Sequence, residues 1–332
     1  MKHIMCGLLA LGLPCLSTAQ DKRAAFLTAD ESGPDFDVQG EYSGTVDGDG
    51  NSTKIGIQVI AQGDGKFRSV GYIGGLPGDG WDGTAEKRIP GSGHMQDDIC
   101  ILKADNVDSD GRAEIKDGNL TLYSGDNVKV AEFPKVRRES PTVGKTPSAG
   151  AVVLFDGTTA EHFQGGRMSE DKLLMEGVTS KQRFGSYNLH IEFMLSFMPH
   201  ARGQGRANSG CYQQGRYEVQ ILDSFGLEGK NNECGGVYEI ADPAVNMCFP
   251  PLSWQTYDIE YHAAKFADDG QKKKNSWMTV KHNGVVVHDK LDLPRGTRAA
   301  PVKEGPEDGP IYLQNHGNPI RFRNIWLMPI ED

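Results

Sequence analysis

Along much of the chain, apolar and polar residues alternate with a period of two. Leu189, Ile191, Phe193 and Leu195 fall on one side of a run whose other side carries His190, Glu192, Met194 and Ser196. That is the pattern of a strand with one face against a core. Tyr217, Val219 and Ile221 alternate in the same way with Glu218 and Gln220, and Ile55, Ile57 and Val59 with Gly56 and Gln58. Leu120 and Leu122 flank Thr121 just after Asp117-Gly118, a hairpin-type turn pair, and Asn283-Gly284 interrupts another alternating run over Trp277–Val287. A sustained helical period is hard to find. Many short strands cut by turn residues predict an all-β protein.

The same pattern divides the chain. Residues 1–19 read as a signal peptide: Lys2 and His3 precede an apolar run from Ile4 to Leu16, and Ser17-Thr18-Ala19 supplies small residues for cleavage. Cys15 raises a lipid anchor, but Pro14 before it fits such a signal poorly. The expectation is a periplasmic or secreted protein without a membrane span. Residues 20–39 are polar and expected to be poorly ordered. Residues 40–139 predict a small antiparallel β domain. Residues 140–150, SPTVGKTPSAG for the most part, have the composition of a linker, and 151–332 form a second β domain of two packed sheets.

A length of 332 residues suits two domains, and 42 glycines with 17 prolines suit turn-rich β structure. The net charge of −10 argues against nucleic acid and anionic membrane surfaces as partners. Lys272–Lys274 lies beside an acidic stretch and reads as a solvated loop. Without the leader, Cys100, Cys211, Cys234 and Cys248 remain, and an oxidising compartment allows three pairings, with Cys234–Cys248 closing a short loop. Asp47, Asp49 and Asn51 open like a calcium loop, yet Ser52 and Gln58 stand where Gly and Glu are needed. Trp81, in the irregular GGLPGDGWDG stretch, is either a loop anchor or a sugar-stacking ring.

Five blocks carry a family likeness: LFDG at Leu154–Gly157, NSGCYQQGRYEVQILDS at Asn208–Ser224, CGGVYEI at Cys234–Ile240, WQTYDIEY at Trp254–Tyr261 and GPIYLQNHGNPIRFRNIWL at Gly309–Leu327. In this order they resemble the 3-keto-disaccharide hydrolase family, from about Ala151 to the C-terminus. The resemblance implies a concanavalin-like jelly-roll sandwich whose concave sheet forms a carbohydrate groove. It also implies a hydrolase acting on keto sugars.

Ordinary glycosidases need two carboxylates. Here Gln220 takes the middle acidic position of the comparable strand run, and Asp223 lies an odd number of residues from Glu218, so a regular strand turns the two apart. The chemistry the resemblance implies is base-assisted β-elimination from a 3-keto glycoside followed by hydration, which needs a base, a donor for the enolate oxygen and an acid for the leaving group. The candidates are Glu192 or Glu218 as base and His316 as acid or polariser. Asn208, Gln220 and Gln314 would hold sugar hydroxyls, Tyr212 would serve as a stacking platform, and Arg321 and Arg323 would stabilise oxyanions or form structural ion pairs. A divalent metal held by Glu192, Glu218 and His316 is a further option, with no diagnostic ligand spacing. The alternatives are a lectin-like binding module on the same sandwich, or an extracellular scaffold whose N-terminal domain docks an unknown protein partner. The enzymatic expectation supposes that Glu192 and Glu218 converge in one trough.

Overall fold

The computed structural model describes residues 23–48, 50–105 and 110–331. The expected signal peptide, with Cys6 and Cys15, lies outside them, as does Asp49. Among the described residues no helix is long and apolar enough to cross a membrane.

The protein is all-β. Eight antiparallel strands between Gly40 and Val136 follow one another around a closed barrel, and the first and last join through Glu41 opposite Val136. The C-terminal part is a two-sheet sandwich. One sheet is built around Ser186–Leu195, flanked by Ile320–Ile330 and Trp254–His262. The facing five-stranded sheet has Ser209–Gln213 and Tyr217–Ile221 at one edge, with Tyr312–Leu313 alongside. The alternation explains the core. Leu189, Ile191, Phe193 and Leu195 from the first sheet meet Cys211, Tyr217, Val219, Ile221 and Leu313 from the second, all buried in one cluster.

The barrel is not a loose appendage. Ile60, Val70 and Tyr72 point outward from it and belong to the sandwich core. Arg206 of the sandwich donates to Ala61 O at 3.1 Å and pairs with Asp223 at 2.5 Å, while Arg68 and Arg88 both donate to Gly226 O. Trp81 donates its indole N–H to Thr84 O and packs edge-on against Tyr72, which is the role of a loop anchor.

Two segments differ from the expectation. Residues 23–39, expected to be poorly ordered, carry the short helix Pro34–Val38, and Phe26 bridges to Phe197. The helix closes one end of the barrel: Asp35 accepts from Gly65 N, and Gln39 from Ala61 N. Residues 140–150, linker-like in composition, are a packed strap. Ser140 and Thr142 bond the Thr256 hydroxyl, Thr142 donates to Asp258 at 2.7 Å, and Lys145 O accepts from both Asn324 and Trp326. Short polar side chains suit a strap as well as a tether, because each can satisfy a strand's outward polar groups.

All four described cysteines are buried free thiols. Cys234 and Cys248 touch each other without a disulfide, and Cys234 also contacts the Tyr257 hydroxyl at 3.3 Å.

Candidate active site

On the outer face of the five-stranded sheet, the edge hairpin makes a polar hollow of about 320 Å³. Its floor follows from period-two geometry: with Tyr217, Val219 and Ile221 in the core, Glu218 and Gln220 must face out. Register sets Tyr212 opposite Glu218 and Gly210 opposite Gln220. The neighbouring strand Tyr312–Leu313 leads Gln314 into place, held by its N–H to Gly210 O at 2.9 Å. Asn208, Gln314 and His316 complete the set of sequence candidates found here, so six of them share one hollow: Asn208, Tyr212, Glu218, Gln220, Gln314 and His316.

Glu218 is 3 % exposed. Burial pushes its carboxyl up to about 7, with a hydrogen bond from the Tyr212 hydroxyl pulling the other way. Burial, and then the nearby carboxylate, keep Tyr212 itself firmly protonated. Gln314 donates to the Tyr212 hydroxyl at 3.2 Å. With its amide nitrogen turned inward, Gln220 donates to Glu218 Oε1 at 2.9 Å and to Ser209 O at 3.0 Å. Asn208 donates to Gln204 O at 2.8 Å, while its own Oδ1 is buried with no protein partner. Tyr212 is 1 % exposed and lies on a strand, its ring tilted against Tyr312. It is therefore a hydroxyl donor in the floor, not the exposed platform expected for it.

Four further residues complete the lining: Gln204, Tyr238, Arg298 and Ala299. The segment carrying Tyr238 runs beside Tyr217–Ile221, where Gln220 N donates to Gly236 O at 2.8 Å. The loop of Arg298 is tied down by Thr297, whose hydroxyl accepts from Glu218 N and donates to Arg216 O. Tyr238 lies within a family-like block; Arg298, in a loop with no pattern, left no signal in the sequence.

Three candidates are elsewhere. Glu192 sits on the other sheet, in Ser186–Leu195, fully buried beneath the strap. It accepts from Gly144 N at 2.6 Å, Asn324 Nδ2 at 2.8 Å and Arg323 Nε at 2.7 Å, with His190 Nε2 at 3.5 Å. Burial would raise its carboxyl, but these donors outweigh it and hold it down at about 2. Glu192 and Glu218 therefore share no trough, because the polar face of the Glu192 strand is covered by residues 140–150. Arg323 is committed to Glu192 and lies 3.9 Å above the Trp254 ring. Arg321 pairs with Glu176 at 3.1 Å. The potential metal set Glu192, Glu218 and His316 is not brought together, and among the described residues no group of three His, Cys, Asp or Glu could hold a metal ion. Asp223 faces Arg206, away from the hollow.

A polar hollow on the outer face of a β-sandwich sheet, floored by a buried carboxyl with an elevated pKa, is a candidate functional site with a group poised to exchange a proton near neutral pH. Residues 150–328 match the family described as the 3-keto-alpha-glucoside-1,2-lyase-like domain, and the chain belongs to that family. A solved structure from Parabacteroides distasonis ATCC 8503, described as that of a candidate glycosyl hydrolase, is similar at 32% identity over 55% of this chain and 84% of that chain, with a TM-score of 0.49. No functionally curated protein matches the chain. The family, by its description, is one of carbohydrate-active domains, and residues 150–328 are that part of this chain.

Proposed function

We propose that the hollow binds the keto-sugar ring of a 3-keto glycoside and breaks its glycosidic bond by elimination and rehydration. One observation carries this reading: Glu218 is the one carboxylate among the described residues that line the hollow. Direct glycoside hydrolysis needs an acid and a base or nucleophile flanking the bond. Elimination needs one base.

Glu218 takes the proton from C2, made acidic by the ketone at C3. The electron pair of that C–H bond becomes the enolate, with charge on the C3 oxygen. The enolate then re-forms the ketone, making a C1–C2 double bond as the C1–oxygen bond breaks, and the leaving oxygen receives a proton from His316 or from water. Water next adds its oxygen to C1 while C2 regains a proton, which completes net hydrolysis. A base with a pKa near 7 is well matched to this work at neutral pH. Arg298, Gln220 and Asn208, whose Oδ1 has no protein partner, line the hollow and would hold sugar oxygens. The apolar leader supports export, so the substrate would be met in the periplasm or outside the cell.

The test is turnover in deuterated water with a 3-keto disaccharide and its parent disaccharide. Cleavage of the keto sugar with solvent deuterium at C2 of the product supports the proposal, as does about 100-fold or greater loss of kcat in Glu218→Gln. Cleavage without label at C2, equal turnover of the parent sugar, or binding without turnover overturns it.

A further inference from the structure

The barrel holds a hollow of its own, remote in chemistry from the glycoside site. At the end closed by Pro34–Val38 the interior is filled: Tyr42, Phe67, Leu120 and Phe133 are buried there, and Phe36 meets Phe197 edge-on at 5.2 Å. Toward the other end the inward side chains become sparse and small. Gly71 faces in where a larger residue would fill the space, beside a cavity of about 710 Å³ walled by Val46, Ile55, Ile73, Ile89 and Leu122. Those five aliphatic side chains are only half-buried, and Val130 carries the apolar surface on at 48 % exposure.

We propose that this barrel is a binding cup for one unbranched aliphatic chain, entering through the open end with its polar head left at the rim. Closed eight-stranded barrels have an interior of the size that either packs solid or holds one small ligand. This one is packed at the end closed by Pro34–Val38 and hollow toward the other. The volume lies within the range of pockets that enclose a small molecule. The lining is mostly apolar, with Ser69 the buried polar side chain among it, beside Gly91. Aliphatic residues outnumber the two aromatic ones of the lining, Tyr72 and Tyr123, which favours a flexible chain over a stacked ring. Polar side chains gather at the margin instead: Thr53 lines it, and Arg112 lies 4.6 Å over the Tyr123 ring while donating to Glu114 and Asn127.

Calorimetric titration of the full chain with octanol, decanol, dodecanol and dodecanoate, each below its micellar or solubility limit, tests the cup. One site per chain is expected, with affinity rising roughly fourfold per added methylene, the factor for burying one CH₂. Comparing dodecanol with dodecanoate separates a neutral from an anionic head. Gly71→Phe should abolish most of this binding while the fold holds, because a Cβ at Gly71 meets Ile89 only at ordinary 3.7 Å contact and the ring fills the void. Ile89→Glu, placing a charge on the wall, should weaken dodecanol binding more than tenfold. Absence of saturable binding overturns the proposal, as does affinity independent of chain length, or wild-type affinity in either folded variant. If neither variant folds, the chain-length series on the wild-type protein decides.

Discussion

Gly210 lies across from Gln220, and the Glu218 carboxyl folds over it: a Cβ at Gly210 would overlap Glu218 Oε1 and stand 2.9 Å from the Tyr212 ring. Gly210→Ala should therefore displace the base while leaving the strand pairing intact. Because a shift of about an ångström in a reacting group can cost on the order of 100-fold, kcat/KM on a 3-keto glycoside should fall by about that factor with little change in melting temperature. The protonation of Glu218 gives a second prediction. As the base it must be ionised, so kcat/KM should fall as pH drops through about 7, and that limb should vanish with the residual activity of Glu218→Gln. Stability moves the opposite way. Between the carboxyl's ordinary 4.5 and about 7 the folded state holds a proton that the unfolded state has lost, so stability declines as pH rises through this window. Glu218→Gln escapes that decline and should melt higher than wild type above neutral pH, by up to ~3 kcal/mol of stability at 25 °C, and no higher below the window. Thermal scans at both ends of the range check it. A variant that gains stability as it loses activity is the mark of a group buried for its chemistry.

At the scale of elements, the strap and the strand beneath it explain why half the expected trough was misplaced. The alternation over Leu189–Leu195 puts His190 and Glu192 on one face, and the structure agrees. The partner of that face lies elsewhere in the chain: Gly144, Asp258, Arg323 and Asn324 converge on the pair. Their polarity was legible; their role as fasteners was not, because a strand's own period cannot say what lies upon it. The hairpin carrying Glu218 was easier to read, since its ligand-facing side is set by register within a few residues. Glu192→Gln should lower stability by about 2–3 kcal/mol, toward the low end for a broken buried pair because Arg323 is 36% exposed. Turnover measured below the melting transition should be unchanged; a loss comparable with that of Glu218→Gln would return Glu192 to the site. The pH dependence has two sides. Glu192, held at about 2, contributes fully above 4.5, and its contribution is lost as pH falls toward 2. His190 is lowered by burial, but Asp258 and Glu192 raise it above 6.5 overall. Its contribution is full below 6.5 and is lost as pH rises through that elevated value. The strap is thus held best from ~4.5 to ~6.5, and the wild-type advantage over Glu192→Gln in melting temperature should be greatest there.

For the molecule as a whole, barrel and sandwich share buried surface and charge. Arg206 is 5 % exposed, and its guanidinium spans Asp223 and the carbonyl of Ala61. Ile60, Val70 and Tyr72 place barrel side chains in the sandwich core. The two parts should therefore unfold in one cooperative calorimetric transition. Arg206→Ala, which strands the Asp223 carboxylate, should cost about 3–5 kcal/mol and split the transition in two; two peaks already in the wild type would show the parts to be independent, and a single unshifted peak in the variant would show that Arg206 does not couple them. By itself the chain determined that it would fold into strands, where the main turns fall, and which side chains share a face, because those properties follow from a two-residue repeat and from turn residues acting over a few positions. Only the tertiary structure decided that the strand hairpins between 40 and 136 close into a half-hollow barrel, that residues 140–150 lie down as a strap, and that Glu218 rather than Glu192 opens onto a cavity. Those outcomes depend on which distant surface covers a given face, and the covering residues are up to about 180 positions away along the chain, as Lys145 is from Trp326.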